Sequence, residues 1–479
     1  KTRSRSLTDG KRPASPFGEA ASAPADHNPA AGIFKSTDGG ATWQAANAGL
    51  SGAALDIRAI ALSPDFVTDH TLFIGTRGSL YASTDGGATW QPRQSGLPSG
   101  IAVTAVAVSP PQSGGEPTVF AGTAGAGVYS SVNQGLTWEL KLTGLTDLRI
   151  NHIAPAPGYN HTTSNAPMFV ATGNSGVWMT GDHGLSWRGT NNGLDDLDVH
   201  TVAVSPAYGT DDQTLFAGTA HGLYRSGDSG NHWQLVPDTP PPNRPVDVVL
   251  FSPDYDNDHT VFAGSREGGI FRSTDGGLTW QGSVAGMPYP RVQALAISPA
   301  FTTDRTLWAS VQSASSLFGV FYSSALVRST DGGLTWTELV RDNDGLNGIV
   351  SLAVSPNYAQ DHLLLAGRGS PACLCGQGVF ASTDGGASWT AFNEGLNTRW
   401  PMPYALTFSP GYSQDGAVFV GLNNGLWSRS IVKPDSVRTL ILAPRQRFRR
   451  LFSLEAAEDL FRNLTDLANA PGVAGIIVD

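Results

Sequence analysis

The chain is predicted to be all-β: a β-propeller of four-stranded blades, followed by the start of an α/β domain. Three observations predict this. A box of the form Ser/Thr-x-Asp-x-Gly-x-Thr/Ser-Trp recurs eight times. Each repeat holds four short β-rich runs separated by turn residues. Incomplete repeats stand at both ends of the array and complement one another. Units of this size cannot bury their own apolar faces and must stack on neighbours.

The box is clearest at Ser36–Trp43, Ser83–Trp90, Ser273–Trp280, Ser329–Trp336 and Ser382–Trp389. Looser copies run Ser131–Trp138, Thr180–Trp187 and Ser226–Trp233. The acidic position is Asp38, Asp85, Asp182, Asp228, Asp275, Asp331 and Asp384, with Asn133 in its place in the third copy. The box tryptophans are Trp43, Trp90, Trp138, Trp187, Trp233, Trp280, Trp336 and Trp389, spaced 46 to 56 residues apart. Asp bonds backbone amides in tight turns, and Gly takes positive φ without steric cost. Trp offers a large apolar plate for packing between neighbours. The Asp residues therefore read as turn-makers rather than catalysts, and truncating Trp43 or Trp280 is expected to cost stability.

One repeat shows the strand pattern. Ile57–Leu62 is a β-rich run stopped by Ser63-Pro64; Thr71–Gly75, Leu80–Ser83 and Thr89–Pro92 follow. Pro92 cannot donate to a ladder, so the fourth run reads as an edge. No helical periodicity is evident, and four strands with turns between them make a blade. Complete units begin near Ile57, Val103, Ile150, Val199, Val246, Val292 and Ile349. The half units are residues 32–44 and 404–430. Joined, they make an eighth blade and close the ring, which removes exposed edges; seven blades is the alternative. Both halves offer a third strand, at Ile33–Lys35 and Leu426–Ser428, so one is redundant.

These boxes resemble the Asp-box, or BNR, repeat of sialidases, sortilin-type receptors, xyloglucanase-like glycosidases and photosystem II assembly factors. The resemblance spans residues 31–430. It implies a propeller, and it implies ligand binding on the face opposite the boxes. It does not select an activity, because those families share little chemistry.

Outside the array, residues 1–30 are rich in Ala, Pro, Ser and charge and read as a leader or linker. Residues 31–432 hold the propeller. In residues 433–479, a run at Thr439–Ala443, leucines at helical spacing from Leu454 to Leu467, and a run at Gly472–Asp479 read as strand, helix and strand. The chain is expected to be part of a larger multidomain protein, with the propeller monomeric.

The formal net charge is −10, and basic residues cluster outside the repeats, at Lys1–Arg12 and Arg445–Arg450. That argues against nucleic acid as a partner. No apolar run reaches the roughly 20 residues that span a bilayer, and no signal peptide is visible. An extracytoplasmic or secreted location is inferred without one. Cys373 and Cys375 are too few for a zinc site; a local disulfide or a free pair both fit. No metal or cofactor is expected, and no nucleotide or metalloprotease motif occurs. His70, His259 and His362 sit in equivalent loops, which indicates repeat descent. A second repeated element, Ser-Pro-x-aromatic-x-x-Asp, reads as a turn rather than a calcium loop.

Candidate site residues come from one position. Aligning the units on Ser-Pro puts Arg58, Thr104, Asn151, His200, Asp247, Gln293, Val350 and Tyr404 at the start of the first strand. Elsewhere that strand is monotonously apolar, so a varied polar ring at the channel mouth is a candidate for holding a polar ligand. Trp400 lies in a loop where no repeat requires a Trp, which makes it a candidate stacking platform. Insertions at 312–324 and 368–377 lengthen loops on the same face. The expected function is an exported, non-catalytic binding or scaffolding propeller for glycan or protein. The alternatives are a glycoside hydrolase and an assembly factor of the photosystem type. For the hydrolase, Arg58, Arg149, Arg291, Glu267, Asp247 and Tyr404 can be assembled on this face, but the Arg-Ile-Pro motif of sialidases is absent.

Overall fold

The computed structural model describes residues 32–423 except 110–116, 158, 160–165, 210, 238–243, 314–322, 343–347, 371–374 and 397–401, together with 440–441 and 476–477. Residues 1–31, Trp400, Cys373 and the third-strand candidate Leu426–Ser428 therefore lie outside the described residues.

Eight four-stranded antiparallel sheets form eight blades. Blades 1 to 7 start at Ile57, Val103, Ile150, Val199, Val246, Arg291 and Gly348 and run consecutively. Blade 8 is composite: Met402–Phe408 and Val418–Asn423 supply its two inner strands, and Gly32–Ser36 and Gln44–Ala45 the two outer ones. Gly32–Ser36 pairs with the second strand from Gly32↔Leu422 to Ser36↔Val418. The redundancy is thus resolved in favour of the N-terminal segment, and the blade number is eight rather than seven. First strands of neighbouring blades contact each other all round, including the first blade with the last, so they line the central channel.

Burial explains why the second strand of each blade is apolar on both faces. Leu72–Thr76 and its counterparts Val119–Thr123, Met168–Thr172, Leu215–Thr219 and Val261–Ser265 are buried at every residue. Each is covered by a blade on either side. Phe73, Phe120, Phe169, Phe216, Phe262, Trp308, Leu365 and Phe419 repeat at one position of that strand and are all fully buried. Such a side chain contributes roughly 1.5–3 kcal/mol by leaving water. The core is accordingly eight clusters, one at each blade–blade contact; seven contain a box tryptophan from the later of their two blades, and the half-buried Trp280 packs against the eighth. Most fourth strands are short and exposed, as in Gln91–Pro92, while that of blade 6, Thr337–Asp342, is longer and buries Val340.

The box forms the same turn in each blade. In the first copy Ser36 Oγ donates to Asp38 Oδ1 at 2.6 Å and accepts the Gly40 amide at 2.7 Å. Asp38 also accepts the Thr42 amide at 2.9 Å and the Thr42 hydroxyl at 2.6 Å. Asn133 reproduces this by donating Nδ2 to Thr137 Oγ1, and His232 supplies the donor to Asp228 where other boxes have a hydroxyl. The tryptophan Nε1 then reaches back to the preceding blade: Trp43 to Phe392 O, Trp90 to Ala46 O, Trp138 to Arg93 O, Trp187 to Lys141 O, Trp233 to Thr190 O and Trp336 to Ser283 O. Two depart from this. Trp280 and Trp389 bond carbonyls of their own boxes, and Trp280 is only half-buried. The two tryptophans expected to cost stability on truncation, Trp43 and Trp280, therefore differ in burial and in hydrogen-bond partner.

The box carboxylates set an acid limit on the fold. Burial pulls Asp331 and Asp384 upward, but the hydroxyl and amide hydrogen bonds outweigh it and hold both at about 2. The same balance lowers Asp38, Asp85, Asp182, Asp228 and Asp275. A carboxylate depressed in the folded state stabilises above its unfolded value of about 3.8 and stops doing so as pH falls through the folded one. Thermal scans are expected to show melting temperature nearly flat from pH 6 to about pH 4, then falling steeply toward pH 2. A Ser329→Ala variant, which loses one donor to Asp331, should be less stable near neutral pH and show a smaller acid-induced loss that is complete at higher pH.

The Ser-Pro-x-aromatic-x-x-Asp element forms a one-turn helix in five units: Phe66–Asp69, Tyr255–Asp258, Phe301–Asp304, Tyr358–Asp361 and Tyr412–Asp415. The element read from sequence as a turn is thus a single turn of helix, too short to leave a periodic signature. Ser63 Oγ donates to Asp69 Oδ2 at 2.6 Å, and Asp69 Oδ1 accepts the Thr71 amide at 2.8 Å. His70, His259 and His362 follow these helices in left-handed conformation, at φ 50°, 46° and 48°, edge-on to Phe66, Tyr255 and Tyr358.

The chain divides into two compact units, residues 1–425 and 426–479. In the second, Leu440–Ile441 and Ile476–Ile477 pair in parallel. Among the described residues no helix is long and apolar enough to cross a membrane.

Candidate functional site

Hydrogen bonds define the two faces. Box turns bond the loops between first and second strands, as in Gly86 N to His70 O and Gly276 N to His259 O. Loops between second and third strands bond the inter-blade segments instead, as in Arg77 N to Asp56 O and Arg266 N to Pro245 O. The starts of the first strands therefore open on the face opposite the boxes.

Each first strand carries a register shift at its start. It falls between Ile57 and Ala59, Val103 and Ala105, Ile150 and His152, and Val199 and Thr201. It recurs between Val246 and Val248, Val292 and Ala294, Ile349 and Ser351, and Pro403 and Ala405. The residues left over are Arg58, Thr104, Asn151, His200, Asp247, Gln293, Val350 and Tyr404, the ring aligned from sequence. A bulge frees one residue from the ladder and re-aims its side chain. Sequence shows the variation at this position; the bulge is its physical cause, since an unpaired residue escapes the packing that keeps the rest of the strand apolar.

Several ring members spend their polar groups between blades. Thr104 Oγ1 donates to Ile150 O at 2.9 Å, and Asn151 Nδ2 donates to Val199 O at 2.8 Å. His200 Nδ1 lies 2.7 Å from Asp247 Oδ1. Arg58 pairs with Asp56 at 2.8 Å, and Gln293 Nε2 donates to Gln312 Oε1 at 2.9 Å. For Tyr404 only the backbone is described, and Val350 brings no polar group. Asp247 also accepts Arg266 Nε at 2.6 Å and Nη2 at 3.1 Å. Burial pulls the Asp247 carboxyl upward, but the His200 hydrogen bond and the Arg266 charge hold it below the usual range.

A cavity of about 360 Å³ at the channel is lined by Ile60, Val248, Leu295, Leu352 and Leu406, with Gln293, Ser351 and Thr407 as polar groups. Sequence reasoning missed His152, one position beyond a bulge. The residue is exposed, yet the protein around its ring lowers its proton affinity, while its Nδ1 contact with Val202 O at 3.0 Å works the other way. A histidine among the small residues at that register was the available signal. Among the described residues no group of three or more His, Cys, Asp or Glu side chains could hold a metal.

Two of the residues assembled for a hydrolase, the carboxylates, are held in ion pairs. Asp247 is neutralised by His200 and Arg266, and Glu267 is paired with Arg244. A general acid for glycoside hydrolysis requires a raised carboxyl pKa, whereas that of Asp247 is lowered.

Fold and site together define an eight-bladed β-propeller with a polar, bulged channel mouth. No family model matches the sequence, and no curated protein does. Among solved structures, yeast (Saccharomyces cerevisiae) Sqt1 is similar at 12% identity and a TM-score of 0.52, over 77% of this chain and 95% of that one. The GH74 enzyme of Niastella koreensis is similar at 18% identity and a TM-score of 0.49, over 73% of this chain and 55% of that one. YCF48, in a structure bound to D1 peptide, is similar at 17% identity and a TM-score of 0.44, over 75% and 98%. The chain thus spans about half the length of the GH74 enzyme. At these identities the likeness is of fold alone.

Proposed function

We propose that the protein is a non-catalytic binding or scaffolding propeller of Asp-box type, acting outside the cytoplasm, that recognises a glycan or protein ligand on the face opposite the boxes. The observation that carries this is the set of eight bulges around the channel mouth. The bulged position varies in chemistry from blade to blade, and one of its residues, Gln293, lines a cavity whose walls are mostly aliphatic. That combination of apolar wall and few polar groups suits a ligand pocket. Gln293 lines the cavity itself, and Trp400 is retained as the proposed stacking residue. The hydrolase reading is set aside because Asp247 and Glu267 are both held in ion pairs.

The test is a glycan-array and protein pull-down comparison of the full chain with a Gln293→Ala/Trp400→Ala variant. Saturable binding that weakens tenfold or more in the variant is the expected result, about 1.4 kcal/mol or more. Binding of equal strength in both proteins would place the ligand elsewhere.

A further inference from the structure

The bulged position of blades 2, 3 and 4 makes one kind of link: its side chain reaches the first strand of the next blade. In blades 2 and 3 the link is neutral, from Thr104 to Ile150 O and from Asn151 to Val199 O. In blade 4 the link joins two titratable groups, His200 and Asp247, at 2.7 Å. On its other side, His200 Nε2 lies 3.8 Å from Asp198 Oδ2 in the inter-blade segment. The charged groups facing the ring are therefore Asp198 from its own blade and Asp247 and Arg266 from blade 5. Arg291 of blade 6 adds its charge to the neighbourhood of Asp247 and Arg266.

We propose that His200 is a proton-operated clasp that ties blade 4 to blade 5 at the channel mouth. Protonated, the ring donates from Nδ1 to Asp247 and presents a positive Nε2–H edge to Asp198. When it loses a proton, the neutral ring keeps Nδ1–H on Asp247 and turns the Nε2 lone pair toward the Asp198 carboxylate. Attraction on that side becomes repulsion, and the inter-blade segment carrying Asp198 is released. That segment is tied to the loop between second and third strands, because Ala220 N bonds Asp198 O. Deprotonation thus loosens two adjacent segments of the candidate face.

The sign follows from the partners. The hydrogen bond to Asp247 raises the His200 proton affinity, burial opposes it, and the charges of Asp247 and Asp198 add to the rise. A histidine raised in the folded state stabilises fully below its unfolded value of about 6.5, and that contribution is lost as pH rises through the folded value. The Asp247 end of the clasp behaves oppositely and fails only in acid, below about 3.8.

The experiment is a pH titration of the ¹³C-histidine-labelled full chain by NMR, without ligand, so that failure of the clasp is separate from failure of the binding proposal. The His200→Gln spectrum assigns the His200 resonance among the 10 histidines. The expected His200 midpoint lies above the ordinary histidine value. It moves down in Asp247→Asn, and moves down by less in Asp198→Asn. Melting temperature falls through the same pH range in the parent chain and stays flat in His200→Gln. A His200 midpoint at or below the ordinary value, or one unmoved by Asp247→Asn, overturns the clasp. If His200→Gln fails to fold, the titrations of the two Asn variants still decide.

Discussion

Replacing Trp90 by alanine is expected to lower the free energy of unfolding by about 3–5 kcal/mol, the range for removing a fully buried aromatic. Trp90 is 1% exposed and packs with Ile33, Ile57, Phe66 and Phe419 between blade 8 and blade 1. Its Nε1 donates to Ala46 O at 2.6 Å and its backbone N to Ala48 O at 2.7 Å, both in the segment leaving blade 8. Truncation leaves a cavity and removes the donor for a buried carbonyl. Trp280→Ala is the internal comparison. That indole is half-buried and bonds Gly277 O of its own turn, so about 1–2 kcal/mol is expected. Urea midpoints of the two variants, measured side by side, check the difference. Equal losses would show that the link to the preceding blade contributes nothing beyond area.

Gly395→Ala is expected to destabilise by about 3 kcal/mol and to act on ring closure. Gly395 has φ +87°, and a Cβ there would lie 1.7 Å from Trp43 O. The neighbouring carbonyl of Glu394 accepts the Trp43 amide at 2.8 Å. Blade 7 is joined at this point to the N-terminal half of blade 8, so any shift that relieves the clash pulls at the contact between the chain's two ends. Gly52→Ala separates the two causes. Its φ is +57°, but nothing lies within 4 Å of the added carbon, so it carries the backbone strain alone, about 1 kcal/mol. Thermal unfolding of both variants, with limited proteolysis of the segment before Trp43, is the measurement. A Gly395→Ala protein as stable as Gly52→Ala would mean that the close approach is not needed for closure.

Gly395 belongs to a repeated feature that the sequence displays but that has meaning only in three dimensions. Gly49, Gly96, Gly144, Gly193, Gly286 and Gly395 each precede Leu or Met. An added Cβ at each would lie 1.7–2.2 Å from the carbonyl oxygen of a box tryptophan in the following blade. The chain must pass the next blade with no side chain between them. Nothing within one repeat signals this, because the partner lies in the next one.

The sequence by itself determined the blade. Strand lengths, turns and the box are set by neighbours within about 50 residues, so local chemistry writes them plainly. It also determined ring closure, because two incomplete repeats at opposite ends have no other way to cover their edges. It located the varied ring from Arg58 to Tyr404, since only a position exempt from packing escapes the aliphatic pattern. The tertiary structure alone decided what that ring does. Whether Asp247 is a free acid or the centre of a His200–Arg266 pair depends on residues from two blades meeting at 2.6–2.7 Å. It also decided which end of the chain supplies the third strand of blade 8, and which box tryptophans hold the blade before them. These outcomes rest on distances between repeats, and repeats that are nearly identical in sequence carry no record of which neighbour each side chain will reach.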